Sequence, residues 1–113
     1  MPFRARIGEE LDLPHSLHGV FITQRAVIGR KVAIYQNVTI GSDFMSRDPL
    51  KRGAPTLGDK VVVGAGAIII GKVFIGSGAR IGAGAVVTRD VPAGGVAYAS
   101  RSLIHDELGK EQK

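Results

Sequence analysis

Few side chains in this sequence can do chemistry, and they fall into a pattern. There are three histidines: His15 and His18 near the N-terminus, and His105 in the polar tail RSLIHDELGKEQK. A neutral imidazole can take a proton from a hydroxyl, so His15, with His18 as the second choice, is a candidate general base. His105 reads as a solvated tail residue. Asp12 or Glu10 is close enough in sequence to orient the other ring nitrogen of such a base. Cysteine is absent, which excludes a Cys nucleophile, a disulfide scaffold and a Cys-ligated zinc site. Downstream, one motif occurs twice: Val63-Gly-Ala-Gly-Ala67 and Ile81-Gly-Ala-Gly-Ala85. Ala65 and Ala83, with Gly64 and Gly82 beside them, would let a thin ligand lie close to the backbone.

These residues are positioned by a repeat. Ile28, Ile34 and Ile40, then Leu57, Val63, Ile69, Ile75, Ile81 and Val87, are spaced by six. The residue four places after each is small and aliphatic in nearly every case, from Val32 and Val38 to Ala85 and Val91. Ile7 and Leu13 extend the series toward the N-terminus, and Ile22 leads into Ile28. A period of six is neither that of a helix nor that of a simple strand. It fits a parallel β-helix in which each hexad makes one flat face and three hexads make one turn, with the repeated aliphatic pointing inward.

Grouped by threes, the hexads stack Ile7, Ile28, Leu57 and Ile75 on a first face. Leu13, Ile34, Val63 and Ile81 stack on a second, and Ile22, Ile40, Ile69 and Val87 on a third. Two insertions interrupt this map, at Pro14 to Gly19 and at Ser42 to Pro55. Counting on from Leu13 puts His15 on the corner that later holds Gln36, Ala65 and Ala83. His15 and Ala83 would then be about 14 to 15 Å apart. The reading is one domain over residues 1–113, with coils over about 7–92, a protruding loop at 42–55 and a C-terminal tail at 93–113.

Composition supports a soluble, folded chain. Hydrophobic residues make up 44% of the 113 and charged residues 22%. Aromatics are only 5%, so small aliphatics must fill the core. No apolar run is long enough for a membrane span, and the start MPFRARIGEE lacks a leader's apolar stretch, so the expected location is the cytoplasm. The net charge is +5. The cations are scattered, with denser groups at Arg25/Arg30/Lys31 and Arg47/Lys51/Arg52. No aromatic platform or helix-turn-helix accompanies them, so nucleic acid is not expected. Val62, Ile68, Phe74 and Val86 form an outward apolar row, joined by Ile70, and burial between subunits is expected for it.

From Ile7 to Pro92 the sequence resembles the hexapeptide-repeat acyltransferases. The stretch LDLPHSLHGVFITQRAVIGRKVAIYQNVTIG is similar to serine acetyltransferases and to O-acetyltransferases of surface polysaccharides; GAPTLGDKVVVGAGA is most similar to the latter. The resemblance implies a left-handed parallel β-helix of about four coils, assembled as a homotrimer. It implies acetyl-CoA as co-substrate and a small-molecule hydroxyl, of serine or a sugar, as acceptor. Carried over by motif, His15 is the base, Ala65 and Ala83 line the acetyl-CoA arm, and Gln36 is the glutamine of the following coil. Gln36 or Asn37 would hold an oxyanion, and Lys72 or Arg89 the cofactor's phosphates, as would Arg80 and Arg101. Lys51 and Arg52 would suit an acidic acceptor. The family's Asp before the histidine is here Pro14, and its second His before a loop proline is here Ala54. A zinc enzyme on such a prism would need three His ligands, so no metal is expected. A catalytically inactive structural relative is the other class considered.

Overall fold

The computed structural model describes residues 6–14, 18–100, 104–105 and 111–112. Twelve short strands follow one another: β1 Arg6–Ile7, β2 Phe21–Ile22, β3 Val27–Ile28, β4 Ala33–Ile34, β5 Thr39–Gly41, β6 Thr56–Leu57, β7 Val62–Val63, β8 Ile68–Ile70, β9 Phe74–Ile75, β10 Arg80–Ile81, β11 Val86–Val87 and β12 Val96–Ala97. They form three parallel sheets, β1-β3-β6-β9, β4-β7-β10-β12 and β2-β5-β8-β11, which are the three faces of a left-handed parallel β-helix. A short antiparallel pair, β13 Ile104–His105 and β14 Glu111–Gln112, lies in the tail.

The register follows the hexads. Ile7 pairs with Ile28, Ile28 with Leu57 and Leu57 with Ile75 on the first face. Ile34, Val63 and Ile81 align on the second, where Asp12 bridges to Ala33 and brings Leu13 into line. Ile22, Ile40, Ile69 and Val87 align on the third. Each inward aliphatic is stacked on its counterparts one coil away, and the core is Ile, Val, Leu and Ala throughout. No polar or charged residue is buried among the described residues. The narrow prism explains the choice of side chains: large aliphatics fill each face, and Ala or Val fits where the corner narrows.

Two details differ from the sequence map. The stack runs past Pro92, because Ala97 pairs with Ile81 and adds a partial fifth level to the second face. The apolar positions taken as one outward row lie on three faces: Phe74 on the first, Val62 on the second, Ile68, Ile70 and Val86 on the third. The reason is geometric. With three hexads to a turn, equivalent positions of successive hexads fall on successive faces. The third face carries an outward column with no charged residue, Phe21–Thr39–Ile68–Val86, with Ile70 beside it.

The 42–55 insertion leaves at the corner between the third and first faces. Its neck is closed by a reciprocal pair, Asp43 N–H to Gly53 O and Gly53 N–H to Asp43 O, both 2.8 Å. Asp43 Oδ1 also accepts from the N–H groups of Met45 and Ser46, and Asp48 caps the 3₁₀ turn Pro49–Lys51 by accepting from Leu50 N–H. The loop is therefore folded by its own aspartates, while Phe44, Met45 and Leu50 point to solvent.

Candidate active site

The corner joining the second face to the third is the candidate site. Its rungs are backbone hydrogen bonds: Asn37 N–H donates to His18 O at 2.8 Å, Gly66 N–H to Gln36 O at 3.0 Å, and Gly84 N–H to Ala65 O at 2.9 Å. These bonds put His18, Gln36, Ala65 and Ala83 on one ridge, one residue per coil. The next residues, Gly19, Asn37, Gly66 and Gly84, all have positive φ, between 59° and 72°.

The ridge position expected for His15 is thus held by His18. His15 itself lies outside the described residues. The nine-residue step from Leu13 to Ile22 contains three extra residues, and the described corner pair of this coil is His18-Gly19. The left-handed turn requires this, because Gly19 adopts it readily and must be the second corner residue. His18 is exposed and sits one coil from Gln36, two from Ala65 and three from Ala83. Asp12 lies on the outer side of the second face, exposed, with its backbone laddered to Val32 O and Ile34 N. Glu10 is on a different corner, 4.0 Å from Lys31, so it is an ion-pair partner there.

Gln36 is half-buried, and its side-chain Oε1 is shielded from solvent with no hydrogen-bond partner among the described residues. A buried acceptor without a donor is unfavourable by about 1–3 kcal/mol, so this step of the ridge is suited to a bound group that brings an N–H or O–H. Above it the ridge is bare: Ala65 and Ala83 present only methyl groups. Gly64 and Gly82 follow from the stacking. A Cβ on Gly64 would lie 2.6 Å from Ala83 N, and one on Gly82 3.1 Å from Ala97 O. Side chains there would wedge the coils apart, which the sequence motif alone did not reveal.

Lys72 and Arg89 do not join this ridge. They lie at the corner between the third and first faces, where with Lys51, Asp43 and Asp90 they line a cavity of about 550 Å³. The whole third face separates them from Ala65 and Ala83. Both residues follow third-face strands, β8 and β11, so their offset from the inward residues carries them to that corner. Lys51 joins them because Lys72 N–H donates to Lys51 O at 3.2 Å. Arg80 stands on the outer side of the second face, and Arg101 is outside the described residues. Among the described residues no three or more His, Cys, Asp or Glu cluster as metal ligands, and no helix is long and apolar enough to cross a membrane.

Comparison with known proteins agrees with this geometry. Residues 54–89 match the bacterial transferase hexapeptide (six repeats) family. The chain is 46% identical over 89 residues to a serine acetyltransferase of Synechococcus elongatus, covering 79% of this chain and 35% of that protein. It superposes on a soybean serine acetyltransferase complexed with serine at a TM-score of 0.76 and 40% identity, covering 86% of this chain and 38% of the other. It superposes on a serine acetyltransferase complexed with CoA at a TM-score of 0.73 and 32% identity, covering 85% and 36%. The chain therefore spans about a third of the length of each of these relatives.

Proposed function

Because the chain belongs to the hexapeptide-repeat acyltransferases and is serine acetyltransferase-like among them, we propose that it transfers an acetyl group from acetyl-CoA to the hydroxyl of serine. The observation that carries this reading is the ridge. His18, the Gln36 amide whose buried oxygen has no partner among the described residues, and the methyl-only steps Ala65 and Ala83 follow one another along it, one residue per coil. The span suits an extended thioester arm lying on Ala65 and Ala83, with its reactive end toward the first coil. The CoA and serine complexes of the relatives support the choice of co-substrate and acceptor.

In this reading the bound thioester supplies an activated acetyl group. His15 takes the proton of the acceptor hydroxyl as its oxygen attacks the acyl carbon, an effect worth about 10²- to 10⁴-fold. The imidazolium then returns that proton to the departing thiolate. Gln36 turns its amide N–H toward the developing oxyanion, or Asn37 does. Asp12 holds the second ring nitrogen. The chain has no cysteine for a thioester acyl-enzyme, and direct transfer in a ternary complex is the simpler scheme. His18 is the second reading for the base, favoured by its place on the ridge. Lys72 and Arg89 would meet the cofactor's phosphates only across an interface with a neighbouring copy. A homotrimer packed on the third face, through Phe21, Ile68, Ile70 and Val86, would supply that interface.

A sugar hydroxyl is the second reading for the acceptor. It is favoured by Pro14 and Ala54, which stand where serine acetyltransferases carry an aspartate and a second histidine. An acceptor screen that reads free CoA decides between them. Serine-dependent release is expected, lost in His15→Ala and kept in His18→Ala. Release with sugars but not serine would move the acceptor, and release unchanged in His15→Ala would remove that residue as base. No release with any hydroxyl, and no binding of acetyl-CoA, would make the chain a structural relative.

A further inference from the structure

A second basin opens at the corner between the third and first faces, sharing Lys72 with the cavity of Lys51 and Arg89. Its volume is about 480 Å³, and its charged lining is Arg6, Arg25, Arg52 and Lys72, with the Gln24 amide beside them and no carboxylate. The two ion pairs among the described residues, Arg30 with Glu9 and Lys31 with Glu10, lie on another corner. The four cations thus have no acidic partner within 4 Å among the described residues. They come from four separate parts of the chain: the first strand, the first-coil corner, the loop and the third-coil corner. Nothing in their spacing along the chain shows that they meet.

The basin is organised in advance. The Arg25 guanidinium lies over the Phe44 ring, 5.0 Å from its centroid. Arg52 Nε donates to Ser46 O at 2.8 Å, which fixes the plane of the guanidinium and leaves its terminal amino groups without a hydrogen-bonded partner among the described residues. Gly53 packs on the stem of Lys72: a Cβ there would lie 3.2 Å from Lys72 Cβ. The loop therefore holds three of the four cations in place. Like charges gathered in one basin repel unless a counter-charge joins them.

We propose that this basin binds a phosphate ester or diphosphate group. Two guanidinium forks match phosphate oxygens bidentately, and Lys72 adds a point charge. A single carboxylate would offset one of the four positive charges, whereas a phosphate ester or diphosphate offsets two or more. The volume is in the range of small-molecule sites and leaves room for the group that the phosphate carries. The basin is on a different corner from the alanine ridge, and the proposal stands whether or not the chain transfers acetyl groups. Two sources share this chemistry: a phosphorylated acceptor, and the phosphates of the cofactor.

The test is titration calorimetry of the full chain with inorganic pyrophosphate. One saturable site per chain is expected, weakening as salt is raised. Arg25→Gln/Arg52→Gln should weaken it at least about tenfold, since each fork loses charge-assisted hydrogen bonds. Arg47→Gln, in the same loop but outside the basin, should leave it unchanged. Arg52→Lys, which keeps the charge, should still weaken binding, and it serves if the double variant melts below the parent. Displacement of pyrophosphate by CoA but not by acetyl-pantetheine would assign the cofactor's phosphates, and no displacement by CoA a phosphorylated acceptor. The absence of saturable binding, or binding equally affected by Arg47→Gln, would overturn the proposal.

Discussion

Gly64→Ala is the sharpest test of how the coils stack at the candidate site. The added methyl would sit 2.6 Å from Ala83 N and 3.0 Å from Ala83 Cα and Gly82 C, all of them backbone atoms. Nothing flexible is available to give way. To restore ordinary contact the third and fourth coils must part by about 0.8 Å. The rungs on either side are Gly64 N–H to Ile81 O at 2.7 Å and Gly84 N–H to Ala65 O at 2.9 Å, and both would stretch beyond useful length. Overpacking contributes about 1–3 kcal/mol and the weakened bonds about 1 kcal/mol more, so a loss of about 2–4 kcal/mol is expected. Gly66→Ala, two residues on, is the control. Its φ is +71° but no atom lies within 4 Å of the new methyl, so only the left-handed conformation opposes it, by about 1–2 kcal/mol. Urea denaturation at fixed protein concentration measures both. The reasoning fails if Gly64→Ala costs no more than Gly66→Ala.

Other outcomes follow from the same geometry. Ile69→Ala, at a fully buried stacked position, should destabilise the chain by about 2–5 kcal/mol in the same denaturation assay. Ala83→Leu places an exposed side chain on the ridge; its midpoint should match the parent, while KM for acetyl-CoA rises about tenfold or more in steady-state kinetics. Phe21→Asp/Val86→Asp puts two carboxylates in the outward column of the third face. Sedimentation should show the assembly dissociating toward the 11.9 kDa chain, and an unchanged mass would exclude that face as the contact.

Much of the fold was legible because the prism asks one thing of every sixth residue, an aliphatic that points inward. Ile28, Leu57 and Ile75 announce their shared face by that demand alone, and insertions of any length leave the demand intact. The corners were harder to read. Between Leu13 and Ile22 the spacing says that three residues are extra, but not which pair makes the turn; the left-handed Gly19 makes it His18-Gly19, and φ cannot be read from a sequence. The same limit applies to charge. Lys72 and Arg89 suit the cofactor's phosphates by their charge and by their place on the later coils, away from His15. A corner moves a residue to a new face within two or three positions, so neighbours in the chain point away from each other. Gln36 stood out as a polar residue at a small-residue position. That its oxygen would be buried and unpartnered depends on coils above and below it.

The most direct measurement is a crystal structure of the chain grown with CoA. The account predicts an extended pantetheine lying on Ala65 and Ala83, with its sulfur directed along the ridge toward Gln36 and the first coil. Pantetheine found against the first face, or crossing the ridge without touching either alanine, would contradict it.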